Sequence, residues 1–326
     1  MSATVTAPAE SSSIALQDEV GHQRHLPSVA VFDSSTATAD QVVEALIKAG
    51  GCIIKNVVST DALAEIEKDT RQYIDADTEW KGTFFPKQTR RVNGLAGKSK
   101  TFMKNIVCCQ LYQDVCTALL SSSVTNWVGD ERIESTSKPQ LNNTIIFSIG
   151  AGARAQGLHR DDAIHHNRTR RIMDPGDYVV GQDAGIGFFV GGKRTTRQNG
   201  ATRFIPGSHL WSPDIPPRED LAVYAELEPG DGFIMLSSCY HGGSANTTPD
   251  EERLVYSCFM TKGFLRQEEN QYLNNDREKL KEMYADDIDM LKLIGYDLSA
   301  PFLGWIEGGH PLRALINGYA ENEDMY

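Results

Sequence analysis

No run of eighteen or more apolar residues occurs in the 326-residue chain, so the sequence offers no helical membrane span. No basic region followed by an apolar core opens it. ENEDMY at its end is neither a peroxisomal address nor a lipidation box. The expected location is therefore cytoplasmic. Positive charge is in the minority, 32 Lys and Arg against 44 Asp and Glu for a net charge of −12. That balance argues against nucleic acid or an anionic membrane as the main partner, though it leaves room for a local basic pocket. Cysteine is scarce and unpatterned: residues 52, 108, 109, 116, 239 and 258, with no C-x-x-C. Such spacing provides neither a zinc site nor a disulfide framework, and the six read as buried or free thiols. There is no internal repeat and no obvious interdomain linker.

Residues 1–27 are rich in Ala, Ser and Thr without periodicity and are expected to form a flexible leader. Residues 28–326 read as one domain. Thr38 and Gln41 have capping-box spacing ahead of the stripe Val42, Val43, Leu46 and Ile47, and Gly50 is placed to close that helix. CIIKNVV (52–58) reads as a strand, and Ser59 as the cap of a second helix carrying Leu63, Ile66, Tyr73 and Ile74. From 75 to 104 the pattern dissolves; a long aperiodic stretch holding Trp80, Phe84, Phe85, Arg90 and Arg91 suits a lid over a site.

The middle of the chain changes character. TIIFSI, IGFFVGG, ATRFI, DGFIML and LVYSCFM are short β-rich runs separated by DPGD, IPGS and EPGD. They predict a mainly β fold with flanking helices, an antiparallel sandwich or barrel core over about 140–265. A helical segment is expected over 266–326.

Chemistry concentrates in GLHRDDAIHHN (157–167). Strand side chains alternate with period two, so His159 and Asp161 share a face if they end a strand. His241, 82 residues on in CYHGGSAN, follows an apolar strand and supplies a second imidazole. Two imidazoles and one carboxylate on one face, with positions left open, suit non-haem Fe(II). Arg253 follows His241 by twelve residues at the start of LVYSCFM. A guanidinium beside a metal calls for an anion, and a keto acid would supply one. The bland alternative is a strand-edge arginine paired with Glu251 or Glu252.

AQGLHRDD (155–162), QNGATRFIPGSHLW (198–211), EPGDGFIMLSSCYHGGSAN (228–246) and the arginine that follows resemble the phytanoyl-CoA dioxygenase-like family, in particular its fungal branch that tailors secondary metabolites such as meroterpenoids and indole alkaloids. The likeness covers roughly residues 38–265 and implies a double-stranded β-helix, or jelly-roll, core. It implies Fe(II) as metal, 2-oxoglutarate and O2 as cosubstrates, and ascorbate as a candidate reductant. Residue by residue it implies His159, Asp161 and His241 as iron ligands and Gln156, Thr202 and Arg253 as contacts to 2-oxoglutarate. His209 is expected not to be a ligand. An aspartate at 161, where related halogenases carry a small residue, favours oxygenation or desaturation over halogenation. The insertion after Asp161 is longer than the family pattern and adds two basic clusters, NRTRR and KRTTRQ.

The substrate this reading implies is a bulky, largely apolar natural product such as a meroterpenoid, oxidised at an unactivated C–H bond by hydroxylation, desaturation, rearrangement or endoperoxidation. Phe259 and the lid are expected to shape its pocket, and Asp162 stands either toward the substrate or in solvent. A homodimer is expected from the resemblance. Two other readings compete: a cupin-like metal hydrolase or isomerase using the same ligands, and a non-catalytic jelly-roll binding protein.

Overall fold

The alternation read in the sequence becomes a large mixed sheet. A computed structural model describes residues 26–320; apart from Leu26 and Pro27, the expected leader lies outside the described residues. In chain order the first strands are β1 (Val31–Asp33), β2 (Gly51–Lys55), β3 (Thr89–Asn93), β4 (Ser122–Val128), β5 (Glu131–Ser137) and β6 (Pro139–Ile149). They are followed by β7 (Gly185–Gly191), β8 (Thr202–Phe204), β9 (Val223–Ala225), β10 (Gly232–Leu236), β11 (His241–Gly243) and β12 (Arg253–Lys262). The longer helices are α1 (Ala39–Ala49), α2 (Thr60–Ala76), α3 (Gln110–Leu120), α4 (Arg277–Tyr284) and α5 (Ile288–Ile294).

Seven strands form the main sheet in the order β1-β2-β10-β7-β12-β6-β3, and three form a smaller sheet, β11-β8-β9. Only β1 and β2 pair in parallel; the remaining pairs of both sheets are antiparallel. Strand alternation divides the core in two. Leu254, Tyr256, Cys258 and Met260 of β12, with Phe188 and Ile234, join Leu46, Ile66, Tyr112 and Leu119 of the helices. Val255 and Phe259, with Phe189, Phe233 and Met235, turn the other way and meet Phe204 and Ala225 of the small sheet. A helix layer, a main sheet and a partial second sheet make the expected jelly-roll with flanking helices.

The helix signals act as read. Thr38 Oγ1 accepts from the Gln41 amide at 3.4 Å while Gln41 Oε1 accepts from the Thr38 amide at 3.0 Å. Gly50, at φ 76°, closes α1 in the left-handed region. Ser59 caps α2 by accepting from the Ala62 amide at 3.2 Å.

Two expectations need correction. The stretch 75–104 is not all lid: β3 lies inside it, paired antiparallel with β6 from Thr89 opposite Ile149 to Asn93 opposite Ile145, and helical turns follow from Leu95. β3 is the outer strand of the sheet, where TRRVN can keep polar side chains toward water and so carries no apolar alternation. The C-terminal region is α-helical only through Ile294; from Gly295 to Ala320 it runs mainly in turns, with one short 3-10 segment at Pro311–Ala314. Among the described residues no helix is long and apolar enough to cross a membrane.

Candidate active site

The two chain segments bearing the histidines are joined backbone to backbone. His159 and His241 form an isolated antiparallel bridge in which each amide donates to the other's carbonyl at 2.9 Å. Arg160 is extended, at φ −115° and ψ 132°, so its neighbours His159 and Asp161 face one side and its own side chain the other. The guanidinium of Arg160 donates from Nη2 to the Ser208 carbonyl at 2.7 Å and lies 4.1 Å from the Tyr240 ring centre. The Asp161 amide donates to the Ser237 carbonyl at 2.9 Å, which fixes where its carboxylate emerges.

The result is a compact donor set. His159 Nε2 lies 3.3 Å from Asp161 Oδ1, and His241 Nε2 lies 3.3 Å from Asp161 Oδ2. Donor atoms from all three residues lie within 4.8 Å of one another. Each imidazole is oriented by its other nitrogen: Nδ1 of His159 is 2.8 Å from the Gly157 carbonyl, and Nδ1 of His241 is 3.1 Å from the Cys239 carbonyl. A carbonyl only accepts, so Nδ1 carries the hydrogen and Nε2 is left with its lone pair aimed at the cluster. Burial works against the charge of Asp161, but the imidazoles, when protonated at Nε2, outweigh it and hold the carboxyl well below the usual range, and a bound cation would take the place of those protons. Two nitrogens and one anionic oxygen at these separations fit a divalent ion of the non-haem iron type, with coordination positions to spare.

Arg253 begins β12 opposite Ile149 of β6 and is 4% exposed. It pairs with neither neighbouring acid. Glu252 turns to Arg71 and Lys193, and Glu251 accepts from Asn199. Arg253 Nη2 donates to Thr202 Oγ1 at 2.8 Å, its Nε has no hydrogen-bond partner, and burial lowers its pKa to about 10. A buried guanidinium with no carboxylate partner fits a site for an anion. Gln156 sits beside it: its Oε1 accepts from the Gly243 amide at 2.9 Å, and its own amide donates to the Gly243 carbonyl at 2.9 Å.

These residues line a single cavity of about 150 Å³ between the two sheets. Gln156, His159, Asp161, Thr202, His241, Arg253 and Phe259 all contribute to it. The inner face of β6 supplies Asn143, Ile145, Phe147 and Ile149, every second residue, and the lid supplies Phe84, Phe85 and Pro86. Phe259 meets Phe189 edge to face at 5.3 Å between ring centres. Four buried side-chain atoms without hydrogen-bond partners belong to cavity residues: Thr89 Oγ1, Asn143 Oδ1, Ser244 Oγ and Arg253 Nε. Buried polar groups are nearly always paired in folded proteins, so this concentration marks a place built to receive polar ligands.

Asp162 is brought to neither expected place. It is buried, does not line the cavity, and accepts from Asn167 Nδ2 at 2.9 Å, with burial raising its pKa to about 6. A tight helical turn runs from Asp161 to His165, and Asp162, second in it, projects away from the cavity. Among the other histidines, His165 Nε2 is 3.0 Å from the Arg266 carbonyl, and His209 is buried with Nε2 2.9 Å from the Ile47 carbonyl. Neither lines the cavity. The KRTTRQ cluster faces outward, with Arg194 on Glu228 and Arg197 over the Tyr224 ring.

Sequence reasoning missed several residues. Arg203 alternates away from Thr202 on β8, is buried, and binds Glu219 through Nε and Nη2, both at 2.8 Å. Its Nη1 and Nη2 also donate at 2.7 Å to the Gly243 and Gln156 carbonyls, tying together the segments that carry the site. A lone arginine in a short strand could have signalled this, since it must turn away from the core. Glu268 and Arg154 line the cavity without any motif to announce them.

Comparison with known proteins agrees with this geometry. Residues 46–255 match the family model described as Phytanoyl-CoA dioxygenase (PhyH). The chain is 38% identical over 304 residues to the dioxygenase himG of Aspergillus japonicus, covering 90% of this chain and 92% of that one. To the dioxygenase peniF of Penicillium patulum it is 39% identical over 293 residues, again covering 90% and 92%. Among solved structures, the non-haem alpha-ketoglutarate-dependent epimerase SnoN from nogalamycin biosynthesis shares the fold. Its TM-score is 0.51 at 16% identity, covering 72% of this chain and 86% of that one. The chain thus belongs to the phytanoyl-CoA dioxygenase family of iron- and 2-oxoglutarate-dependent oxygenases.

Proposed function

We propose that residues 28–326 form one catalytic domain that oxidises an unactivated C–H bond of a bulky natural product whose reacting part is largely apolar. One observation carries this reading: the two Nε2 atoms and the Asp161 carboxylate converge in the cavity that also holds the unpaired guanidinium of Arg253.

His159, Asp161 and His241 would hold the iron, and Arg253 with Thr202 would hold the distal carboxylate of 2-oxoglutarate, Gln156 standing beside them. When bound, iron with 2-oxoglutarate and O2 supplies an oxidant able to take a hydrogen atom from carbon, with succinate and CO2 as coproducts. The protein contributes position and exclusion. Gly157 and Cys239 carbonyls keep the Nε2 lone pairs aimed inward. Arg253 neutralises a carboxylate in a place where water cannot. Phe85, Phe147, Phe189 and Phe259 line the substrate side with apolar surface, which favours a C–H-rich segment and excludes water from the reacting atoms. Hydroxylation is the simplest outcome; product mass separates it from desaturation, rearrangement or endoperoxidation.

Candidate metabolites are screened anaerobically for perturbation of the absorption band that Fe(II) and 2-oxoglutarate share, then given O2. Succinate should form in a substrate-dependent way, and His159→Ala should lower turnover by at least ~100-fold. Turnover indifferent to 2-oxoglutarate and O2 would instead identify a metal hydrolase or isomerase.

A further inference from the structure

The charged side chains of the cavity balance two against two, but the proposed roles use only one of each sign. The cavity's charged residues are Arg154, Asp161, Arg253 and Glu268. In the reading above, which this inference rests on, Asp161 belongs to the metal and Arg253 to 2-oxoglutarate. Arg154 donates from Nη2 to the Thr83 carbonyl in the lid. Glu268 is left.

Its position is set by the sheet. The Glu268 amide donates to Asn142 Oδ1 at 2.8 Å, and its Oε2 accepts from Asn143 Nδ2 and, at 3.4 Å, from Asn142 Nδ2. Its Oε1 has no partner among the described residues, and no cationic side chain among them pairs with it. The next residue is a contrast. Glu269 accepts from the amides of Gly94 and Thr144, the Thr144 hydroxyl and the side chains of Gln271 and Asn274, so it is structural. Of two adjacent acids, one is consumed by the fold and the other, exposed to solvent, lines the cavity.

Asn143 reinforces the point. With Nδ2 given to Glu268, its Oδ1 is the buried cavity atom without a donor; the reverse amide orientation would set oxygen against carboxylate. Two neighbouring cavity residues thus offer acceptors and lack a donor. An ammonium group has several N–H donors, no acceptor and the opposite charge. The rings of Phe147 and Phe259 on the same walls favour a cation further.

The strands place this acid away from the 2-oxoglutarate end. Arg253 pairs in register with Ile149, whereas Phe259 pairs with Asn143. Six residues of strand separate the two ends, roughly 20 Å at about 3.3 Å per residue. We propose that Glu268, with Asn143, forms a subsite for a protonated amine, so that the substrate is a largely apolar molecule carrying a basic nitrogen.

The test uses the full chain loaded with Fe(II) and 2-oxoglutarate under argon, with phenethylammonium and its neutral analogue 2-phenylethanol as probes. Binding is read by calorimetry and by the perturbed absorption band. Wild type should bind the ammonium at least ~10-fold more tightly than the alcohol. Glu268→Gln should abolish that preference and Glu268→Asp should retain part of it. Equal binding of both probes by wild type, or a preference that survives Glu268→Gln, would overturn the proposal; the wild-type comparison stands even if a variant misfolds. Calorimetric titration of wild type with 2-oxoglutarate alone separates the two levels. Normal binding there with no ammonium preference removes this subsite only, whereas absent 2-oxoglutarate binding removes the reading beneath it.

Discussion

Arg253 carries a cost that only a ligand relieves. A guanidinium buried to 4% exposure, bonded to one hydroxyl and with no carboxylate partner, is desolvated without compensation. Replacement by an apolar side chain of similar length should therefore separate binding from stability. Arg253→Met is expected to weaken 2-oxoglutarate binding by more than ~100-fold, since truncating a buried charge partner costs several kcal/mol. The ligand-free variant should nonetheless melt no lower than wild type, because it sheds a buried unpaired charge. Calorimetry and thermal unfolding of the two proteins measure both, and a variant destabilised without its ligand would contradict this account. Arg253 was legible because its strand is strongly apolar and an arginine there stands out. Glu268 was not, since QEEN is a polar stretch and nothing local says that one of its acids lines the cavity.

At the scale of elements, α1 and the site are coupled through Gly50. Its carbonyl accepts from the Leu236 amide at 2.9 Å, three residues before Cys239, whose carbonyl orients His241. A Cβ at Gly50 would lie 2.7 Å from His209 Nδ1 and 2.9 Å from Cys239 Sγ, in a backbone conformation that disfavours any side chain. Gly50→Ala should destabilise the fold by ~1–3 kcal/mol, read as a lowered urea midpoint; an unchanged midpoint would refute the coupling. The sequence showed that a glycine closes this helix, from its place after the apolar stripe. The second reason, close packing against a residue distant in the chain, has no local signature. The same division runs through the strands. The apolar runs of β6, β7, β10 and β12 announced themselves because both faces are covered, as did ATRFI, whereas β3 at the sheet edge stayed hidden in a polar stretch. For the site, His159, Asp161, His241 and Arg253 were marked by spacing. Arg203, which ties their segments together, was not, because its role arises from three elements meeting.

At the scale of the whole molecule, Glu252 joins the helix layer to the sheet. It accepts from Arg71 of α2 at 2.8 and 3.1 Å, from Lys193 at 2.6 Å and from Ser148 of β6 at 2.5 Å. Burial works against its charge, but Arg71, Lys193 and Ser148 outweigh that and lower its pKa from 4.5 to about 2. A folded pKa below the unfolded one means stability that is complete above about 4.5 and lost as pH falls toward about 2. Glu252→Gln should flatten the acid side of the stability profile in that window, measured by denaturant unfolding at stepped pH; an equally steep limb in the variant would assign the acid sensitivity elsewhere.

The pairing of β12 with β6 has a last consequence. It runs without interruption from Arg253 to Phe259 and shifts register only between Phe259 and Met260. A strand cannot be stretched, and its inward positions recur every ~6.6 Å. The cavity therefore behaves as a ruler with fixed graduations, its zero at the guanidinium and its last mark just before the bulge. On the proposed roles, substrates would be gauged by length as much as by polarity: a homologue longer or shorter by one graduation would present a different carbon to the iron, so chain length would change where the molecule is oxidised before it changes whether it binds.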